Sequence, residues 1–303
     1  VKDKSEVQRE GQNSAPVAEQ IEQQSAMQSH PDRSHRLNNP DALLIDTTPN
    51  TLHSSPSLHP TPNTRHPYSL RILLWDIDGT LVRSAREGVF KSYTVPLLEG
   101  IFGTAGRLAE MRVSGMTDLQ IIGEALRDEG FTQEHIRSRL KELRTRYIAE
   151  LERVAGMEEK LFYALPGAHE ILATTHANPR YRNALLTGNI EPAAHLKLRA
   201  VGLLDFFKLP GAFGDDSHDR RDLPALAAAR INRALNLELA PAQFIVIGDT
   251  PNDIACARHF GARSVAVATS RYHSADELLT HQPDALIPNL SDTDSILKTL
   301  GAL

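Results

Sequence analysis

The stretch Leu73-Leu74-Trp75-Asp76-Ile77-Asp78-Gly79-Thr80-Leu81-Val82 (residues 73–82) decides how the rest of the chain is read. Its apolar start, Ile72 to Trp75, has the character of a buried strand, and Gly79-Thr80 ends it. Side chains two apart on a strand share a face, so Asp76 and Asp78 are expected to converge on one spot just past the strand's C-terminal end. Two negative charges that close oppose each other unless a cation or a shared proton intervenes. The pair therefore points to metal binding or to acid/base chemistry.

Outward from this stretch, from Tyr68 onward, short apolar runs alternate with longer helical patterns, the rhythm of a parallel sheet wrapped by helices. The expected strands are Ile72 to Trp75, Asn183 to Leu186, Phe206 to Leu209, Phe244 to Ile247, Ser264 to Val267 and Ala285 to Ile287. Polar or small residues follow three of them: Asp76, then Thr187-Gly188-Asn189, then Gly248-Asp249-Thr250. In open α/β sheets ligands gather outside the carboxyl ends of strands, so these tips should face a common crevice.

Between the first two strands lie about 100 residues, far more than a single crossover helix needs. Helical patterns around Gly88 to Phe102, Asp118 to Arg127 and Gln133 to Arg153 fill that stretch. The expected architecture is α/β: a Rossmann-like parallel sheet core with helices on both faces, built from residues 67–85 and 164–303. An all-helical cap over residues 86–163 would close over the crevice. Residues 1–66 are rich in Gln, Ser, Asn, His and Pro and read as a disordered polar tail, with a brief apolar island at Ala42-Leu43-Leu44-Ile45. The tail histidines His30, His35, His53, His59 and His66 lack the paired spacing of metal ligands.

Composition narrows the function. With 33 Lys and Arg against 38 Asp and Glu, the formal charge is −5, which offers no general footprint for nucleic acid or for an anionic membrane. The single cysteine, Cys256, excludes an internal disulfide framework, suits a reducing compartment and reads as a small helix-packing residue. No apolar run approaches the roughly 20 residues needed to span a bilayer. A soluble, cytoplasmic protein is expected, without membrane or nucleic-acid partners, and nothing in the sequence specifies an oligomeric state.

In order and spacing, Asp76-Ile77-Asp78-Gly79-Thr80-Leu81, Leu186-Thr187-Gly188-Asn189 and Gly248-Asp249-Thr250-Pro251-Asn252-Asp253 resemble the motifs of the haloacid dehalogenase superfamily. The resemblance covers about residues 68 to 303, with the insertion sited as in the phosphoglycolate phosphatase-like branch. It implies a Mg²⁺-dependent phosphatase acting on a small phosphorylated metabolite, of phosphoglycolate or sugar-phosphate type. By that resemblance Asp76 attacks phosphorus to form an aspartyl-phosphate, and Asp78 protonates the departing alcohol and then deprotonates the attacking water. The same resemblance assigns the metal to the Asp76 carboxylate, the Asp78 backbone carbonyl and Asp249, with Asp253 in support, and assigns the phosphoryl oxygens to Thr187, Gly188 and Asn189. Plainer roles exist: Asp249 could cap the helix starting near Pro251, and Asp253 could be a first-turn acid.

One departure stands out. The family's usual lysine between its second and fourth motifs is missing, and the corresponding stretch from Gly214 to Pro224 offers Arg220 or Arg221 instead. Arg220, just before a helix, is the expected substitute. Lys197 and Lys208 are set aside, the first as part of the helix after Thr187 and the second as part of a strand. Ser114-Gly115-Met116-Thr117-Asp118 resembles the turn that opens a cap helix in this branch, where Thr117 serves as a helix cap or meets substrate. His169, His176 and His195 are expected to be surface or packing residues. The presence of Asp78 disfavours a carbon-halogen hydrolase. A phosphomutase, or a metal- and phosphate-binding regulatory module without turnover, remain as alternatives.

Overall fold

The computed structural model describes residues 70–303. The polar tail, its apolar island and its histidines lie outside the described residues. In chain order the elements are β1 (Arg71–Trp75), β2 (Val82–Ser84), α1 (Val89–Phe102), α2 (Asp118–Leu126), α3 (Gln133–Ser138), α4 (Leu140–Ala155), β3 (Phe162–Ala164), α5 (Ala168–Ala177), β4 (Tyr181–Leu185), α6 (Glu191–Ala200), α7 (Leu223–Leu235), β5 (Phe244–Gly248), α8 (Pro251–Phe260), β6 (Arg263–Val267), α9 (Ala275–Thr280), β7 (Ala285–Ile287) and α10 (Thr293–Ala302). Among the described residues no helix is long and apolar enough to cross a membrane.

The strands β4-β1-β5-β6-β7 form one parallel sheet in that order. Alternation along each strand feeds two cores. Leu73 and Trp75 of β1 and Ile245 and Ile247 of β5 pack with Ile171, Leu198 and Ile296 from α5, α6 and α10. Ile72, Leu74, Phe244 and Val246 face the other way, onto Ala227 and Ile231 of α7 and Ala257 of α8. Cys256 is buried in this second core, as its packing role requires. The chain leaves β1 to build β4 on one side and β5 on the other, so the tips of three adjacent strands meet where the strand order reverses.

Four helices, α1 to α4, lie between β2 and β3, which pair antiparallel and tie together the two ends of the insertion. Helix α1 buries Val89, Tyr93, Leu97, Leu98 and Ile101, and α4 buries Leu143, Tyr147, Leu151 and Val154, each a helical stripe. The two stripes meet with the Tyr93 and Tyr147 rings 5.3 Å apart.

Two expectations about elements need correction, and one short strand pair was not anticipated. The run from Gln133 to Arg153 is two helices, because Arg139 leaves helical geometry (φ −97°, ψ 7°) and its N–H turns back to Ile136. The strand expected at Phe206 to Leu209 does not form: a single 3₁₀ turn covers Leu204–Phe206, and the ladder position beside β4 is taken by a lone bridge between Leu186 and Ala212. Lys208 there is a surface residue paired with Asp205. The β2–β3 pair has three residues per strand, too short for alternation to announce it.

Candidate active site

The two carboxylates of the opening stretch end in different surroundings. The strand ends at Trp75, and the chain then turns, with the N–H groups of Thr80, Leu81 and Val82 all reaching the Ile77 carbonyl, so the two-residue alternation no longer applies. Asp76 stays buried, whereas the Asp78 side chain is 46% exposed.

Asp76 joins Asp249 and Asp253, all buried, with one oxygen from each lying within 4.8 Å of the others. Asp249 follows β5 and is approached by Gly79, whose backbone is left-handed (φ +88°); a Cβ there would sit 2.2 Å from Asp249 Oδ2. Thr80 Oγ1 donates to Asp249 Oδ1 at 3.4 Å. Asp249 is not the helix cap: that position is Thr250, whose N–H and hydroxyl both donate to Asp253 Oδ2, at 3.0 and 2.7 Å. Asp253 thus braces the start of α8 with one oxygen and offers the other inward.

The buried Arg220 guanidinium lies between them, with Nη2 3.1 Å from Asp76 Oδ1 and also on Asp253 Oδ1, and Nη1 3.3 Å from the Gly115 carbonyl. Arg221 turns to solvent and pairs with Asp219. Of the two arginines, the structure brings Arg220 to the cluster. Burial pushes the Asp76 carboxyl up to about 7 against the lowering pull of Arg220. Burial, reinforced by Asp76, holds Asp249 well above the carboxylate range. Three buried acids facing the Arg220 guanidinium leave the cluster short of positive charge. Hard oxygen donors packed this closely fit a divalent cation.

On the other side of Asp76 the tip of β4 supplies Thr187, Gly188 and Asn189. Thr187 Oγ1 is buried and accepts from Asn189 Nδ2 at 2.8 Å, and the same Nδ2 donates to Asp78 Oδ2 at 2.7 Å. The turn that begins α2 closes over this loop. Asp118 N–H donates to the Gly188 carbonyl at 2.7 Å, Asn252 Nδ2 to the Gly115 carbonyl at 2.8 Å, and a Cβ on Gly188 would meet the Met116 carbonyl at 2.1 Å. Thr117 is engaged as the α2 cap: its hydroxyl oxygen accepts from Gln120 N–H and its proton goes to the His218 carbonyl. His169, His176 and His195 pack edge-on against Phe206 and Phe213.

Two residues of the site received no role in it from the sequence. Asp118 is buried, accepts the Ile190 N–H at 2.8 Å, and is pushed up to about 7 by burial. Lys197, set aside as a helix residue, is buried against Asp78 and Asn189. A signal existed: Ala193, Ala194, Lys197 and Leu198 form the buried stripe of α6, and a lysine inside an apolar stripe needs a partner.

The chain belongs to the haloacid dehalogenase-like hydrolases: the family's model matches residues 73–258, and a second, HAD-hydrolase-like model matches residues 224–293. Among curated proteins it is 27% identical to a phosphoglycolate phosphatase of Pectobacterium atrosepticum, over 77% of this chain and 93% of that protein. It is 22% identical to the pyrophosphatase PpaX of Anoxybacillus flavithermus, over 76% of this chain and 97% of that one. Among solved structures, the fold resembles a hydrolase from Pseudomonas syringae (TM-score 0.53, 22% identity, 75% of this chain and 98% of that one). It also resembles CbbY from Rhodobacter sphaeroides in complex with phosphate (TM-score 0.53, 16% identity, 74% and 96%).

Proposed function

We propose that this protein is a Mg²⁺-dependent phosphatase that hydrolyses a small phosphate ester, of phosphoglycolate or sugar-phosphate type, through an aspartyl-phosphate on Asp76. The observation that carries the proposal is the buried cluster of Asp76, Asp249 and Asp253 set against Arg220 at the sheet's switch point. Curated relatives named phosphoglycolate phosphatase and pyrophosphatase, matched over most of their length, support a phosphate-cleaving reaction. A chain with one cysteine, itself buried, suits a cytoplasmic setting.

Asp76, Asp249 and the Asp78 backbone carbonyl would hold the ion, with Asp253 steadying it. When bound, the ion supplies the positive charge that lets Asp76 remain a carboxylate and neutralises the phosphoryl oxygens. Arg220, fixed by Asp253, adds a permanent charge beside the nucleophile. Thr187, Gly188 and Asn189 receive the transferring group from the other side, and Thr117 acts through the turn it caps. In the first displacement an Asp76 oxygen bonds to phosphorus as the ester P–O bond breaks, and the leaving oxygen takes a proton from Asp78. In the second, water gives a proton to Asp78 while its oxygen bonds to phosphorus and releases the Asp76 carboxylate. Helices α1 to α4, on residues 86–163, act as the cap that screens these steps from bulk water.

The test is hydrolysis of p-nitrophenyl phosphate with and without Mg²⁺, compared with Asp76→Asn and Asp78→Asn. Turnover that needs the ion and disappears on either substitution is the expected result. Turnover insensitive to chelator, or surviving Asp76→Asn, would remove the proposal. A panel of phosphate esters then ranks the substrates.

A further inference from the structure

Burying an ammonium is costly unless its charge and all its donors are met. Lys197, with its side chain 4% exposed, meets this condition almost entirely through the site. Its Nζ lies 2.9 Å from Asp78 Oδ1, 2.7 Å from Asp78 Oδ2 and 2.6 Å from Asn189 Oδ1, matching three donors with three acceptors. Helix α6 holds the stem by burying Ala193, Ala194 and Leu198 beside it. The contact to Asn189 Oδ1 also fixes the amide's orientation, so that Nδ2 faces Asp78 Oδ2 and Thr187 Oγ1.

Asp78 needs such a hold. It stands past the end of β1, its side chain is half exposed, and it lies outside the group formed by Asp76, Asp249 and Asp253. A carboxylate at the edge of a turn samples several rotamers unless something selects one. Proton transfer to a leaving oxygen requires the acid within hydrogen-bond reach at the moment of bond cleavage.

We infer that Lys197 is the positioning residue of this reaction: bridging Asp78 and Asn189, it holds the proton donor in register with the Thr187 loop that receives the phosphoryl group. The inference rests on the phosphatase proposal. Arg220 and Lys197 thereby divide the work of the missing lysine's single charge: Arg220 serves the nucleophile, and Lys197 serves the acid/base.

The experiment compares kcat/KM of the full-length protein and Lys197→Met on two esters. An alkyl phosphate needs its leaving oxygen protonated, whereas p-nitrophenyl phosphate does not. Loss of positioning should lower kcat/KM on the alkyl ester by about 10- to 100-fold and on the aryl ester by less than about 3-fold. Equal losses on both esters, or no loss on either, overturn the inference, because a merely structural lysine does not distinguish leaving groups. Lys197→Gln repeats the comparison if the methionine variant does not fold. In the unmodified protein, ¹⁵N spectra should show a lysine ammonium protected from exchange that vanishes in Asp78→Asn; its absence also overturns the inference. An unmodified protein that cleaves neither ester defeats the phosphatase proposal instead, and the ammonium signal still reports the pairing.

Discussion

Two acid clusters flank the tip of β1, built from similar parts in different proportions. In one, Asp76, Asp249 and Asp253 share Arg220; in the other, Asp78 has Lys197, with Asn189 completing the set. The first is short of positive charge and deeply buried, and its strain is electrostatic. The second is balanced, and each Lys197 donor has an acceptor. A carboxylate close to the strand tip is therefore not in itself a metal ligand. What marks the first cluster as the place for a cation is its uncompensated charge, and what marks the second as a fixed polar network is its completeness.

The comparison breaks most visibly at Asp76. Asp76→Asn removes the proposed nucleophile and should reduce kcat by about 10³-fold or more, measured on p-nitrophenyl phosphate with Mg²⁺. Gly79→Ala attacks the charge-poor cluster without touching a carboxylate, since the new Cβ would sit 2.2 Å from Asp249 Oδ2 at a left-handed backbone position. A loss of about 100-fold in activity at fixed Mg²⁺, with a higher Mg²⁺ concentration for half-activation, is expected from a Mg²⁺ titration. Arg220→Lys keeps the charge but loses the fork whose Nη2 reaches Asp76 and Asp253 while Nη1 reaches the Gly115 carbonyl; about a 10-fold loss of kcat is expected.

The charge shortage also has a pH signature. Folded Asp76 holds its proton up to about 7 against an ordinary 3.8, so between those values the folded state binds more protons than the unfolded one. Stability in chelator should therefore fall as pH rises from about 4 to about 7, and Mg²⁺ should flatten the fall; melting temperatures across that range check it. Asp118, raised to about 7 chiefly by burial, contributes a fall of the same sign that Mg²⁺ leaves in place and Asp118→Asn removes. The smallest effect belongs to Arg221, which is paired with Asp219 in solvent: Arg221→Ala should stay within about twofold of the unmodified kcat.

What could be read in advance follows from how local each signal was. The strand β1 and the acid-bearing tips of β1 and β5 are written in contiguous residues, and so is the Thr187-Gly188-Asn189 tip. Arg220 could be narrowed to a pair of neighbours because the resemblance marks the stretch from Gly214 to Pro224 as the place of the usual lysine, and Arg220 and Arg221 are its two arginines. The different exposure and partners of Asp76 and Asp78 were not legible, since strand periodicity stops at Trp75, where the strand ends. The strand expected at Phe206 gave way to a 3₁₀ turn, because four residues, one of them the exposed Lys208, are too few for periodicity to tell a strand from a half-buried loop.

By itself the sequence determined the parallel α/β core, the helical insertion and the acidic motifs, because each depends on periodicity or on residues adjacent in the chain. Only the tertiary structure decided which charges meet. Lys197 reaches Asp78 across 119 positions, and Arg220 reaches Asp253 across 33. Such pairs are set by the packing of α6 and α7 against the sheet, and a buried charge takes its role from the neighbours that packing provides.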